Sequence, residues 1–152
     1  MKKINIYLDD FRIPVSPMKN GETWELYKNY KDILKRLDEL KFDEINVISL
    51  DHDLGPNAMT HFFNHTSKYN EVLYPEIHKH GEMTGYDVAL YLVNRSKTFK
   101  EKLPNIMVHS ANPIGSSNIM GLINMHLYNN RQNQNCIRWN IEIIKFKENN
   151  KI

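Results

Sequence analysis

The sequence has little means of covalent cross-linking: among its 152 residues there is one cysteine, Cys136. No internal disulfide can form, so a reducing compartment is expected. Long apolar runs are also missing, and none approaches the roughly 18 residues that a membrane span requires. With no N-terminal signal pattern before the first apolar run, the expectation is a soluble, cytoplasmic protein without membrane partners. An excess of one charge is the third absence, because 20 basic residues face 18 acidic ones for a formal net charge of +2. That excludes the basic footprint of sequence-independent DNA binding, and no sequence-specific DNA binding is expected either. Small anionic ligands stay open. Repeats and low-complexity linkers are absent as well, so residues 1–152 read as one domain, long enough to bury about two thirds of the surface of its unfolded chain. The composition, rich in Lys and Asn, suits an AT-rich genome such as that of a phage acting in its host cytoplasm. Oligomeric state is not legible in the sequence.

What the sequence does contain is a set of short apolar runs that end abruptly in chemistry. Ile4 to Leu8 runs into Asp9 and Asp10, Ile45 to Leu50 into Asp51, His52 and Asp53, and Ile106 to Val108 into His109, Ser110 and Asn112. Each reads as a buried strand of a mostly parallel sheet. Between them, Tyr30 to Lys41 and Gly85 to Asn94 repeat apolar residues at helical spacing, and Ile119 to Leu127 reads as a third helix capped by Ser116 or Ser117. Strand, helix and strand in alternation make parallel crossover units of an α/β fold. Trp24 to Tyr27 is a short strand, expected at an edge. The connection from Asp10 to Thr23 contains Pro14 and Pro17 and reads as a loop, while Cys136 to Phe146 reads as a strand or terminal hairpin. From Gly55 to Met83 the alternation breaks in favour of His61, His65, His78, His80, several aromatics and Pro75, too long for an ordinary connection. Residues 56–83 are therefore expected to be an insertion beside the site.

In open parallel sheets, ligands gather outside the carboxyl ends of the strands, so the three tips are expected on one functional edge. Asp9, Asp10, Asp51 and Asp53 together form a carboxylate cluster that calls for a counter-cation, and oxygen ligands suit magnesium or another divalent ion. His52 and His109 could exchange protons near neutral pH with a phosphate ester, alongside Asp51 as a third catalytic group. Arg12, Ser110 and Asn112 could bind phosphate oxygens. Turn formation is the competing role for Asn112 before Pro113, and burial against the backbone the competing role for His109. The histidines of the insertion lack a fixed acidic or cysteine partner pattern for a metal site.

The joint motifs, LDD at 8–10 with Arg12 and Pro14, SLDHDLG at 49–55, TGYDVALYL at 84–92 and HSANPIG at 109–115, resemble the cyclic-phosphate-processing receiver domain family. That family is related to the phosphoacceptor receiver domains of two-component signalling. The resemblance runs from Lys3 to about Ile123, apart from the insertion. It implies a receiver-like, flavodoxin-like fold in which Asp9 and Asp10 match the metal-binding acid pair, Asp51 the phosphoacceptor and Ser110 the hydroxyl residue after the fourth strand. His52, Asp53, His109 and Asn112 match positions that set the family apart from ordinary receivers. Compared with those, the first helix is replaced by a loop, the final helix is missing and no Lys-Pro pair follows the last strand. The implied function is a metal-dependent phosphoesterase acting on a cyclic phosphate of a nucleotide, RNA end or nucleoside derivative. The alternative is a receiver-like module that binds a nucleotide or phosphorylated ligand without turnover.

Overall fold

The computed structural model describes residues 2–12, 23–54 and 83–138. Five strands form one sheet: β1 (Ile4–Leu8), β2 (Trp24–Tyr27), β3 (Ile45–Leu50), β4 (Asn105–Val108) and β5 (Ile137–Arg138). Their order across the sheet is β2-β1-β3-β4-β5, and every neighbouring pair runs parallel. This is the flavodoxin-like winding, in which the chain reverses its direction of growth between β1 and β3. A crevice at that reversal is where such sheets bind ligands. The first strand lies inside the sheet and β2 at its edge, as the runs and their lengths imply.

Three helices accompany the sheet: α1 (Tyr30–Glu39), α2 (Gly85–Phe99) and α3 (Pro113–Asn129). Their stripes, Ile33 and Leu37 on α1, Val88 and Leu92 on α2, Ile119 and Ile123 on α3, share one cluster with Ile6, Leu8, Ile48, Leu50, Ile106 and Val108. Apart from Ile45, which precedes a register shift at the start of β3, the strand residues in that cluster are the even-numbered ones, because successive side chains of a strand point to opposite faces. The helices therefore cover one face. The odd-numbered residues Asn5, Tyr7 and Ser49 are buried on the other face, where Tyr7 meets Trp24 edge-on at 5.7 Å between centroids.

The first helix starts at Tyr30 as its periodicity implies and stops at Glu39 instead of Lys41, whereas the other two run longer than theirs. Asn29 caps α1, its side chain accepting from the Asp32 amide. The second helix continues past Asn94 to Phe99, where Lys100 turns left-handed with φ of 58° and ends it. The third begins at Pro113 rather than Ile119: the cap is Asn112, whose Oδ1 accepts from the Gly115 amide at 2.9 Å, and not Ser116 or Ser117. An asparagine followed by proline is a strong start signal, since the proline lacks an amide that the first turn would leave unpaired. The connection 13–22, residues 55–82 with nearly all of the expected insertion, and the chain beyond Arg138, where a strand and no final helix are expected, lie outside the described residues. Among those residues no helix is long and apolar enough to cross a membrane.

Candidate functional site

The strand tips meet because the parallel ladder continues one residue beyond each strand. The Asp9 amide donates to the Tyr27 carbonyl, the Asp51 amide to that of Leu8 and the His109 amide to that of Leu50, each at 2.9 Å. Asp9, Asp51 and His109 thus occupy the same level of β1, β3 and β4. Alternation aims all three toward the face opposite the described helices.

Asp9 is the most heavily engaged of them. Its Oδ1 accepts from the amides of Phe11 at 2.8 Å and Arg12 at 2.7 Å, while its Oδ2 accepts from Arg12 Nε and lies 3.1 Å from His109 Nε2. A carboxylate offers about four lone-pair positions, so these donors occupy Asp9. Burial alone would raise its pKa, but the hydrogen bonds from His109 and the two amides outweigh that and hold it below the usual value. Asp51 has the opposite environment. Burial, then the charges of Asp9 and Asp53, push its carboxyl well above the usual range, against the opposing pull of Arg12 and a Ser110 hydrogen bond. Asp10 is raised too, by burial and then by Asp9.

Carboxylate oxygens of Asp9, Asp10 and Asp51 all lie within 4.8 Å of one another. Hard oxygens of this kind fit a hard divalent cation such as magnesium, and with Asp9 already engaged by its four donors, Asp10 and Asp51 are the two placed to face it. Asp53 stands outside that trio. Its Oδ1 lies 2.8 Å from His52 Nδ1 and receives Asn112 Nδ2 at 3.4 Å. Arg12 spans the cluster, with Nη2 donating to the His109 carbonyl at 3.1 Å and standing 3.7 Å from Asp51 Oδ1. The guanidinium is thereby placed beside the acids.

Both histidines turn inward. His52 is fully buried, and a Cβ placed on Gly115 would stand 2.5 Å from its Cγ, so the first turn of α3 lies directly against the imidazole. His109, also fully buried, reaches back across β3: its ring stacks on Tyr7 at 4.2 Å and 5° between planes, and Nδ1 meets Ser49 Oγ at 2.7 Å. Burial, then the Arg12 charge, lowers the His109 pKa, against the opposing pull of Asp9. Ser110 and Asn112 are buried, and Asn112 divides its side chain between capping α3 and Asp53.

Three residues escaped the sequence reading. Ser49 is a polar residue inside the apolar run INVISL, and a buried hydroxyl needs a partner, which is a legible signal without the partner's identity. Gly85 is a close approach: its amide donates to the His52 carbonyl at 2.8 Å, and a Cβ there would lie 1.8 Å from the Asp51 carbonyl oxygen. The turn after β3 is consequently clamped between the first residues of α2 and α3, which explains why three separate motifs converge. Arg138, at the tip of β5, donates to the Ser110 carbonyl at 2.9 Å and brings a second guanidinium to this edge.

No curated protein and no solved structure gives a match to the chain. A family model described as the cyclic-phosphate processing receiver domain matches residues 4–125, which include the tips of β1, β3 and β4 and both helix N-termini that build the site, but not Arg138 of β5. With most of its length matched and the parallel receiver-like sheet in place, the chain belongs to the cyclic-phosphate processing receiver domain family.

Proposed function

We propose that this protein is a metal-dependent phosphoesterase that opens a cyclic phosphate carried by a nucleotide, an RNA end or a nucleoside derivative. The observation that supports it most directly is the acid trio Asp9, Asp10 and Asp51 at the chain reversal, with the Arg12 guanidinium beside it. Asp10 and Asp51 would hold a divalent cation such as magnesium, which supplies charge neutralisation at the phosphate when bound. Arg12 binds a phosphate oxygen through Nη2 while its Nε stays anchored on Asp9, so the anion is oriented by a guanidinium that is itself held in place. Ser110 orients Asp51 through its hydrogen bond.

Ring opening adds water across one P–O bond: the hydroxyl joins phosphorus, that ester bond breaks, and the proton ends on the departing ring oxygen. His52 and His109 support this from behind, by holding Asp53 and Asp9, because both imidazoles are buried and face carboxylates. The same burial favours a second reading, a module that binds the ligand without turnover.

Phosphorus NMR distinguishes the two. Wild type with magnesium and a panel of 2′,3′-cyclic, 3′,5′-cyclic and ADP-ribose cyclic phosphates is expected to convert one cyclic resonance into a monoester, and Asp51→Asn is expected not to. A shifted resonance without conversion would establish the binding module instead. An unchanged panel would overturn both.

A further inference from the structure

The mechanism makes no use of Ser49, yet this hydroxyl is fully buried in a strand of aliphatic residues and lies 2.7 Å from His109 Nδ1. On the far side of the ring, Nε2 lies 3.1 Å from Asp9 Oδ2. Tyr7 stacks flat on the imidazole and the Arg12 guanidinium holds the His109 carbonyl, so the ring is confined in position and in plane. From these contacts we infer that Ser49 is a positioning residue: its hydroxyl anchors Nδ1 of the His109 ring, whose Nε2 carries its proton toward Asp9, and thereby keeps Asp9 turned toward Arg12.

The assignment follows from donor and acceptor roles. An ionised Asp9 only accepts, so Nε2 carries a hydrogen. A second proton on Nδ1 would create an imidazolium in a site without solvent exposure and next to a guanidinium, a costly arrangement. Nδ1 is therefore bare, and Ser49 Oγ–H donates to it. The chain Ser49–His109–Asp9 ends on the carboxylate that also receives Arg12 and the amides of Phe11 and Arg12. Such partners behind a metal site commonly change affinity about 10- to 100-fold when removed. Asp9 acts here as the organiser that leaves Asp10 and Asp51 to face the cation; that consequence rests on the proposed function, whereas the tautomer does not.

The test is long-range proton–nitrogen NMR of the histidine rings in the full chain, combined with a magnesium titration followed by backbone amide shifts. In the wild type His109 is expected to show a protonated Nε2 and a bare Nδ1. Ser49→Ala is expected to move the Nδ1 resonance toward that of a bare nitrogen without a hydrogen bond and to weaken magnesium about 10-fold, and Ser49→Thr, which keeps the hydroxyl, to restore both. A wild-type ring protonated on Nδ1, or on both nitrogens, would overturn the inference without any variant. So would a Ser49→Ala protein that loses only stability while keeping the Nδ1 resonance and the affinity, since a serine that merely fills space behaves that way. If the wild type bound no magnesium, the proposed function would fall, and the Nδ1 resonance alone would decide the role of Ser49.

Discussion

The two faces of the sheet are built from the same strands by opposite rules. On the helix-covered face, Ile6, Leu8, Ile48, Leu50, Ile106 and Val108 pack on aliphatic stripes, and no hydrogen bond is needed to specify the contact. On the other face Asn5, Tyr7, Ser49 and His109 are equally buried, but they are joined by named partners: Asn46 Nδ2 donates to Asn5 Oδ1 at 2.9 Å, and Ser49 and Tyr7 both meet His109. Aliphatic burial is non-directional and tolerant of small shifts, whereas a buried polar group loses its partner when moved by an ångström. One face therefore supplies stability and the other supplies aim. The site sits at the end of the face that aims.

The neighbours Ile48 and Ser49 test this contrast most sharply, because they point in opposite directions. Ile48→Ala is expected to cost about 3–4 kcal/mol in chemical denaturation, from lost transfer energy and the cavity left behind, with magnesium affinity unchanged. A larger loss of affinity than of stability would break the comparison. Gly85→Ala comes next, at about 2–3 kcal/mol, because the added Cβ would meet the backbone carbonyl of Asp51 and force α2 away from the site. Unlike Ile48→Ala it should also weaken magnesium, as amide shifts of Asp51 and Asp53 would report.

Asp51→Asn is expected to do the reverse and stabilise the cation-free protein at pH 7 by about 1 kcal/mol, while abolishing its response to magnesium. The sign follows from linkage. The pKa of Asp51 is raised in the folded state, so folding takes up a proton above the ordinary carboxyl range and stability falls as pH rises through the raised value. Asp9, whose pKa is lowered, contributes stability that is present above the ordinary range and lost as pH falls through its own value. Denaturation curves across acidic and neutral pH should therefore show a maximum, and both Asp51→Asn and magnesium should flatten its alkaline side. Arg36→Met gives the smallest effect and the baseline for both faces. Its ion pair with Glu25 at 2.9 Å is about a third exposed on each side, so a change of about 0.5 kcal/mol or less is expected.

Much of this was legible along the chain. Apolar runs of strand length ended where β1 and β3 end, the stripe of α1 marked its buried face, and charge following each run marked the functional edge. The site was legible as a set of residues on that edge, since Asp9, Asp51 and His109 each stand one step past a strand. Helix starts were harder: Asn112 was read as a turn former or a phosphate donor and Ser116 or Ser117 as the cap, whereas the hydrogen bond from Gly115 shows that the Asn112 oxygen serves the cap. Ser49 was overlooked because an alternating apolar run hides one small polar residue, and Gly85 because the close backbone approach it permits comes from a segment distant in sequence.

By itself the sequence determined the parallel α/β class, the strands that carry the acids and the chemistry available at their tips. Those properties follow from local hydrophobic period and residue type. Only the tertiary structure decided which way the side chains face once the strands have ended, and so which acids cluster and which histidines are enclosed. His109 takes its two ring partners from residues 60 and 100 positions away, and His52 is held under Gly115 of α3. Beyond the last ladder bond no alternation rule constrains direction, so long-range packing sets it.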